Sequence, residues 1–157
     1  MNFLNYLLVA LISFLGLIAG IIIISMAKEE QRPGRKYFMV TKDIILLLII
    51  FFLGYYLKLI SIIFVLLILA VYLLKKYKFR KLKEDYLVYS ILGLALFISK
   101  DMDNLFLIIA SLTFIYGLIY GAVIRRKSIK DNLILMLKNV GYLVVSIGLT
   151  TIFHYLF

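Results

Sequence analysis

The chain has 157 residues, 65% of them hydrophobic, with a formal net charge of +10 and a mean hydropathy of +1.10. A soluble domain is only about half apolar, so water could not be kept from this much apolar side chain. Cysteine is absent and there is one histidine, which excludes a disulfide framework, thiolate chemistry, iron–sulfur ligation and a histidine-built metal site.

The apolar residues fall in long blocks separated by short charged stretches, the pattern of an all-α, polytopic membrane helix bundle. The first block, about residues 3–26, is long enough to cross a ~30 Å hydrocarbon core. "SMA" (Ser25 to Ala27) has the small-x-small form of a signal cleavage site, but the apolar run is longer than the ~7–15 residues of a signal peptide. An uncleaved first helix is therefore expected.

"KEEQRPGRKYF" follows, Lys28 to Phe38. Pro33 and Gly34 suit positions i+1 and i+2 of a type II turn, and Pro33 disfavours helix at Arg32. That reading puts Glu29 and Glu30 in the last turn of the first helix, at the negative end of its dipole. Such a misfit calls for compensating cations, either Arg32, Arg35 and Lys36 or the run Lys75 to Lys83.

Residues 43–74 are too long for one crossing and are broken by Tyr55 to Lys58, so two helices are expected, about 41–57 and 59–75. "KKYKFRKLK" then interleaves cations with Tyr77, Phe79 and Leu82, which suits an interfacial segment on anionic lipid. Two further helices, about 86–99 and 105–124, are joined by "KDMDN". The last is expected at about 133–156. Asp43, Asp85 and Asp131 stand where an acid caps an entering helix, and Asp103 or Asn104 has the same place before the fifth.

Six helices arrange the charges consistently. Lys28, Arg32, Arg35, Lys36 and Lys42, then Lys75 to Lys83, then Arg125, Arg126, Lys127 and Lys130 fall on alternate loops, against Lys58 and Lys100 on the others. The positive-inside rule puts the basic loops in the cytoplasm and both termini outside. The whole of 1–157 is read as one integral membrane domain. Its composition fits a prokaryotic plasma membrane better than an organelle.

Close helix packing in lipid depends on small residues. Gly16 and Gly20 in the first segment, and Thr113, Gly117 and Gly121 in the fifth, have the four-residue spacing this requires. Those two helices are expected inside the bundle or at a homodimer seam.

No Asp, Glu, Lys or Arg lies near the middle of a predicted span, which weighs against ion-coupled transport. No serine-hydrolase elbow, zinc-protease, phosphate-loop or Cys-pair motif occurs, and His154 has no partner set for catalysis. No cofactor, metal or nucleic acid is expected. Glu29, Glu30, Arg32, Arg35, Lys36, Lys75, Lys76, Lys78, Arg80 and Lys81 are the candidate contacts to lipid headgroups or a partner. The expected partners are the bilayer, anionic headgroups on the cytoplasmic side, and another membrane protein or a second copy. The leading reading is a non-enzymatic membrane scaffold or complex subunit. The alternatives are a small channel or uncoupled transporter acting as an oligomer, and a lipid-modifying enzyme at the cytoplasmic headgroups.

Overall fold

The computed structural model describes residues 2–27, 29, 31–56, 85–124 and 129–156. Among them every element is a helix: α1 Phe3–Met26, α2 Gln31–Tyr56, α3 Asp85–Ser99, α4 Asp103–Ile124, α5 Ile129–Asn139 and α6 Gly141–Leu156. Windows in α1, α2, α4 and the α5–α6 stretch (Lys130–Phe153) are long and apolar enough to cross a membrane, and Val88–Ser99 is a shorter apolar helix. The third expected segment, 59–75, lies outside the described residues, as do Lys75, Lys76, Lys78, Arg80 and Lys81.

Helix α1 has the boundaries its sequence suggests. Asn2 caps its start by accepting from the Leu4 N–H at 3.5 Å, and Ala27 closes it by donating to the Ile23 carbonyl at 3.2 Å. Helix α2 starts ten residues earlier than expected, because "RPGR" is its first turn and not a type II turn. Proline costs nothing there: the first four N–H groups of a helix have no partner within it, so losing one is harmless. The Gln31 side chain then donates to the Ala122 carbonyl at 3.3 Å, one of the orphan carbonyls at the end of α4.

The early start relocates Glu29. Helix α1 ends at Met26, and Glu29 is an exposed turn residue two positions before α2 begins. It sits at the positive end of the α2 dipole, where an acid is favoured. For Glu29 the expected misfit with the α1 dipole is therefore removed; Glu30 lies outside the described residues. Asp43, expected as a helix cap, is instead well inside α2.

The most extensive packing is between α1 and α4. A Cβ on Gly16 would collide with the Phe114 carbonyl, and one on Gly20 with the Leu118 carbonyl. Gly117 lies against the Leu17 backbone, and Gly121 against that of Leu17 and Ile21. The register rises together on both helices, so α1 and α4 are parallel. Helix α3 is likewise parallel to α6, with Gly93 against Tyr142 and, further along, the Phe97 and Phe153 rings 6.3 Å apart. Helix α2 runs antiparallel to α4 from its anchor at Ala122, and α3 and α4 form a hairpin through Lys100–Met102. Thus α2 and α3 point the same way.

The buried core follows the α1–α4 seam and extends to α3 and α6 through Tyr6, Phe14, Tyr89 and Tyr142. Half of the α4 window is buried, against 22% of that in α2. Helix α2 contributes one ridge, Ile45, Ile49 and Leu53, and exposes Ile44, Leu47, Leu48 and Phe51.

A methyl group at the seam has nowhere to go but into backbone. Gly16→Ala and Gly20→Ala should each destabilise by about 1–3 kcal/mol, the usual cost of overpacking. Gly148→Ala, with nothing within 4 Å of the added carbon, should be neutral or stabilise by about 0.5–1 kcal/mol. Unfolding midpoints of the purified variants in one detergent check the contrast.

Candidate functional site

The middle of the bundle is filled by rings. Tyr89 is fully buried and touches Phe14, Tyr116, Tyr120 and Tyr142, at centroid separations of 6.5, 5.8, 5.4 and 6.2 Å. Phe14, halfway along α1, stacks on Tyr142 at 6.2 Å. Phe14 of α1, Tyr116 and Tyr120 of α4 and Tyr142 of α6 therefore meet around Tyr89 of α3. All four of these tyrosines are core residues.

The expected sixth helix is interrupted at this level. Helix α5 stops at Asn139, the Val140 N–H closes a tight turn onto the Leu137 carbonyl at 3.2 Å, and α6 restarts at Gly141. Small residues of α3 fit the break: a Cβ on Gly141 would lie 2.9 Å from the Ser90 hydroxyl, and Gly93 packs against the Tyr142 carbonyl. Asn139 is buried beside it.

Three buried hydroxyls here have no hydrogen-bond partner among the described residues: Tyr89, Tyr142 and Thr113. The Ser13 hydroxyl adjoins that of Tyr142 and, donating its own proton to the Val9 carbonyl at 2.8 Å, presents its oxygen there as an acceptor. The Tyr89 hydroxyl is aimed at the gap left by Gly117. A fourth tyrosine hydroxyl, that of Tyr6, is satisfied by donating to the Ser146 carbonyl at 3.2 Å. Lys42 reaches the edge of the cluster from α2, its ammonium 5.6 Å from the Tyr120 ring centre.

The expected site residues divide between these regions. Gly16, Gly20, Gly117 and Gly121 are at the seam, and buried Thr113 is one turn before Gly117. Arg35 and Lys36 are exposed near the start of α2, and Glu29 is exposed in the preceding turn. Glu30 and the side chains of Arg32 and His154 lie outside what the structure describes. Tyr89, Tyr142 and Asn139 were not singled out in the sequence. Tyr116 and Tyr120, four apart on one face of α4, carried the only periodic signal for the cluster.

This arrangement offers hydroxyl groups and aromatic faces. Among the described residues no three His, Cys, Asp or Glu side chains converge as a metal site would require. Helices long and apolar enough to cross a membrane point to an α-helical membrane protein. Compared with protein-family models, curated proteins and solved structures, the chain matches none.

A hydroxyl with no partner contributes nothing that its loss would remove. Tyr89→Phe should leave stability unchanged or slightly raised, whereas Tyr6→Phe should cost about 0.5–1.5 kcal/mol, the net worth of one hydrogen bond. Tyr89→Ala should cost about 3–5 kcal/mol by opening a cavity. Equilibrium unfolding of the three variants gives the ranking.

Proposed function

We propose that the chain is a non-enzymatic multi-pass scaffold or complex subunit of a prokaryotic plasma membrane. In this reading it crosses six times, with both termini extracytoplasmic. One observation supports a scaffold most: where α1, α3, α4 and α6 meet, the middle of the bundle is occupied by interlocked tyrosines and backbone-to-backbone glycine contacts. The outward faces of α1 and α2, by contrast, carry Leu8, Ile12, Leu15, Leu47 and Phe51 to the surroundings. A rigid interior with broad apolar faces suits a protein that works through its contacts.

The six-crossing topology has its own support. Because α2 and α3 run in the same direction, the chain has to return along the bundle between Tyr56 and Asp85. A crossing within residues 57–84, where the sequence predicts 59–75, provides that return. The basic stretches then share one side, in agreement with the positive-inside rule.

The absence of native cysteine makes this directly measurable. Asp101→Cys should react with a membrane-impermeant maleimide in intact cells, and Arg35→Cys only after permeabilisation. Equal reactivity would mean that an even number of crossings separates the two positions, and the six-crossing topology would be wrong. For the scaffold role, a photocrosslinker at exposed Phe51 should give one reproducible protein adduct in native membranes. Adducts to lipid alone would count against it.

One feature favours the second reading, a small channel or uncoupled transporter. Interrupted helices at mid-membrane occur in transporters, where irregular backbone lines a binding site. The break at Val140, beside buried Asn139 and the Tyr142 hydroxyl, has that character. Solute flux into proteoliposomes that is lost in Gly141→Leu, with the unfolding midpoint kept, would move the assignment to transport.

A further inference from the structure

At the end of the bundle where α1 begins, a cavity of about 260 Å³ opens between α1, the α3–α4 turn and the last turns of α6. Its walls include Asn2, Tyr6, Lys100, Asp101, Thr150 and Phe153. The Lys100 ammonium lies 3.5 Å from the Phe153 ring centre and 4.7 Å from that of Phe97. Aromatic faces attract a cation without neutralising it. Among the described residues Lys100 has no carboxylate in ion-pair contact, so its charge is held in place and available.

The neutral groups are polarised by bonds they already make. Tyr6 and Thr150, both in the lining, donate to the Ser146 carbonyl at 3.2 and 2.8 Å, so their oxygens can serve a further partner only as acceptors. Asn2 does the reverse. Its carbonyl oxygen accepts from the Leu4 N–H, which leaves its NH₂ as a donor. The cavity thus offers Lys100 and Asn2 as donors, and the Asp101 carboxylate with the Tyr6 and Thr150 oxygens as acceptors.

We propose that this cavity binds a zwitterionic phosphate ester carrying a primary ammonium, the headgroup of phosphatidylethanolamine. The phosphate takes the donors, as anions do with ammonium groups, and the –NH₃⁺ donates to the acceptors. A quaternary choline headgroup has no N–H to donate and so leaves the acceptors unmatched. The volume is close to the lower end of small-molecule sites, about 300–1,000 Å³, which is the scale of a headgroup and not of a large ligand. The cavity also opens at the end of helices long enough to cross a membrane, which places it at headgroup level. The site is independent of whether the chain is a scaffold or a transporter.

The test uses the full chain in a mild detergent, titrated with dioleoyl-phosphatidylethanolamine or dioleoyl-phosphatidylcholine and read by native mass spectrometry. The ethanolamine lipid should bind about tenfold more tightly, the effect of one charge-assisted hydrogen bond. Asp101→Asn, at an exposed position, should erase that preference while leaving the choline lipid unaffected. Lys100→Gln should weaken both lipids, and Phe153→Leu, which keeps the apolar wall, should do so to a lesser degree. Equal binding of the two lipids by the unaltered chain would overturn the proposal, as would an unchanged preference in Asp101→Asn. Soluble phosphoethanolamine is the second arm. If it binds as tightly as the lipid, the lipid assignment is overturned and the ligand is the free ester.

Discussion

Everything else in this bundle is arranged around the direct approach of α1 and α4. Lipid tails give two helices no hydrophobic reason to associate, so the contact has to come from close packing and weak Cα–H···O interactions. Gly16 and Gly20 let the carbonyls of Phe114 and Leu118 rest on the α1 backbone, and Gly117 and Gly121 return the fit from the other side. Since the pair is parallel, α4 cannot follow α1 by a simple hairpin. A local contact between four glycines therefore constrains how the helices between them can be arranged.

The seam also determines which polar groups are satisfied. Short hydroxyl side chains can bond within their own helix: Ser13 to Val9, Ser25 to Ile21, Thr150 to Ser146 and Thr151 to Ile147. They carry no information about neighbours. A tyrosine hydroxyl lies too far from its own backbone for this and depends on what the next helix presents. Tyr6 meets a carbonyl on α6 that α1 happens to face. Tyr89 meets the space left by Gly117, where the closeness of α1 and α4 brings hydrocarbon and backbone but no usable acceptor. The same closeness that holds the bundle together therefore leaves polar atoms unmatched in its centre.

What could be read from the sequence follows the same division. The extent of α1 was legible because an uninterrupted apolar run ends at the first charges, and the four-residue spacing of Gly16/Gly20 and Gly117/Gly121 needs no tertiary information. The start of α2 was misread because Pro-Gly is an equally good turn and first helical turn. Only the contact of Gln31 with the end of α4 distinguishes them. The break at Val140 was invisible for a related reason: no proline marks it, and the fit of Gly141 against Ser90 depends on a neighbouring helix. The tyrosine cluster failed for a third reason. Tyrosine suits both a headgroup interface and a buried ring stack, and the sequence alone does not say which carbonyls or rings will be opposite.

The two ends of the bundle differ in how strongly they hold charge. Near the start of α2, Arg35 and Lys36 are exposed and oppose the positive end of that helix's dipole, a cost of about 0.3–1 kcal/mol per charge at most. Glu29 partly offsets it. Helix α2 is also the least buried of the four long spans, its contacts including one ridge, a hydrogen bond from Gln31 and Lys42 over the Tyr120 ring. Arg35 and Lys36, as exposed charges, contribute little to folding stability. Lys100 is different. It follows the last residue of α3, where a cation complements the helix dipole, and two aromatic faces fix its position. A charge that is both favoured by its helix and held by rings is suited to recognise a ligand, whereas a solvated charge at a helix start is suited to orient the chain.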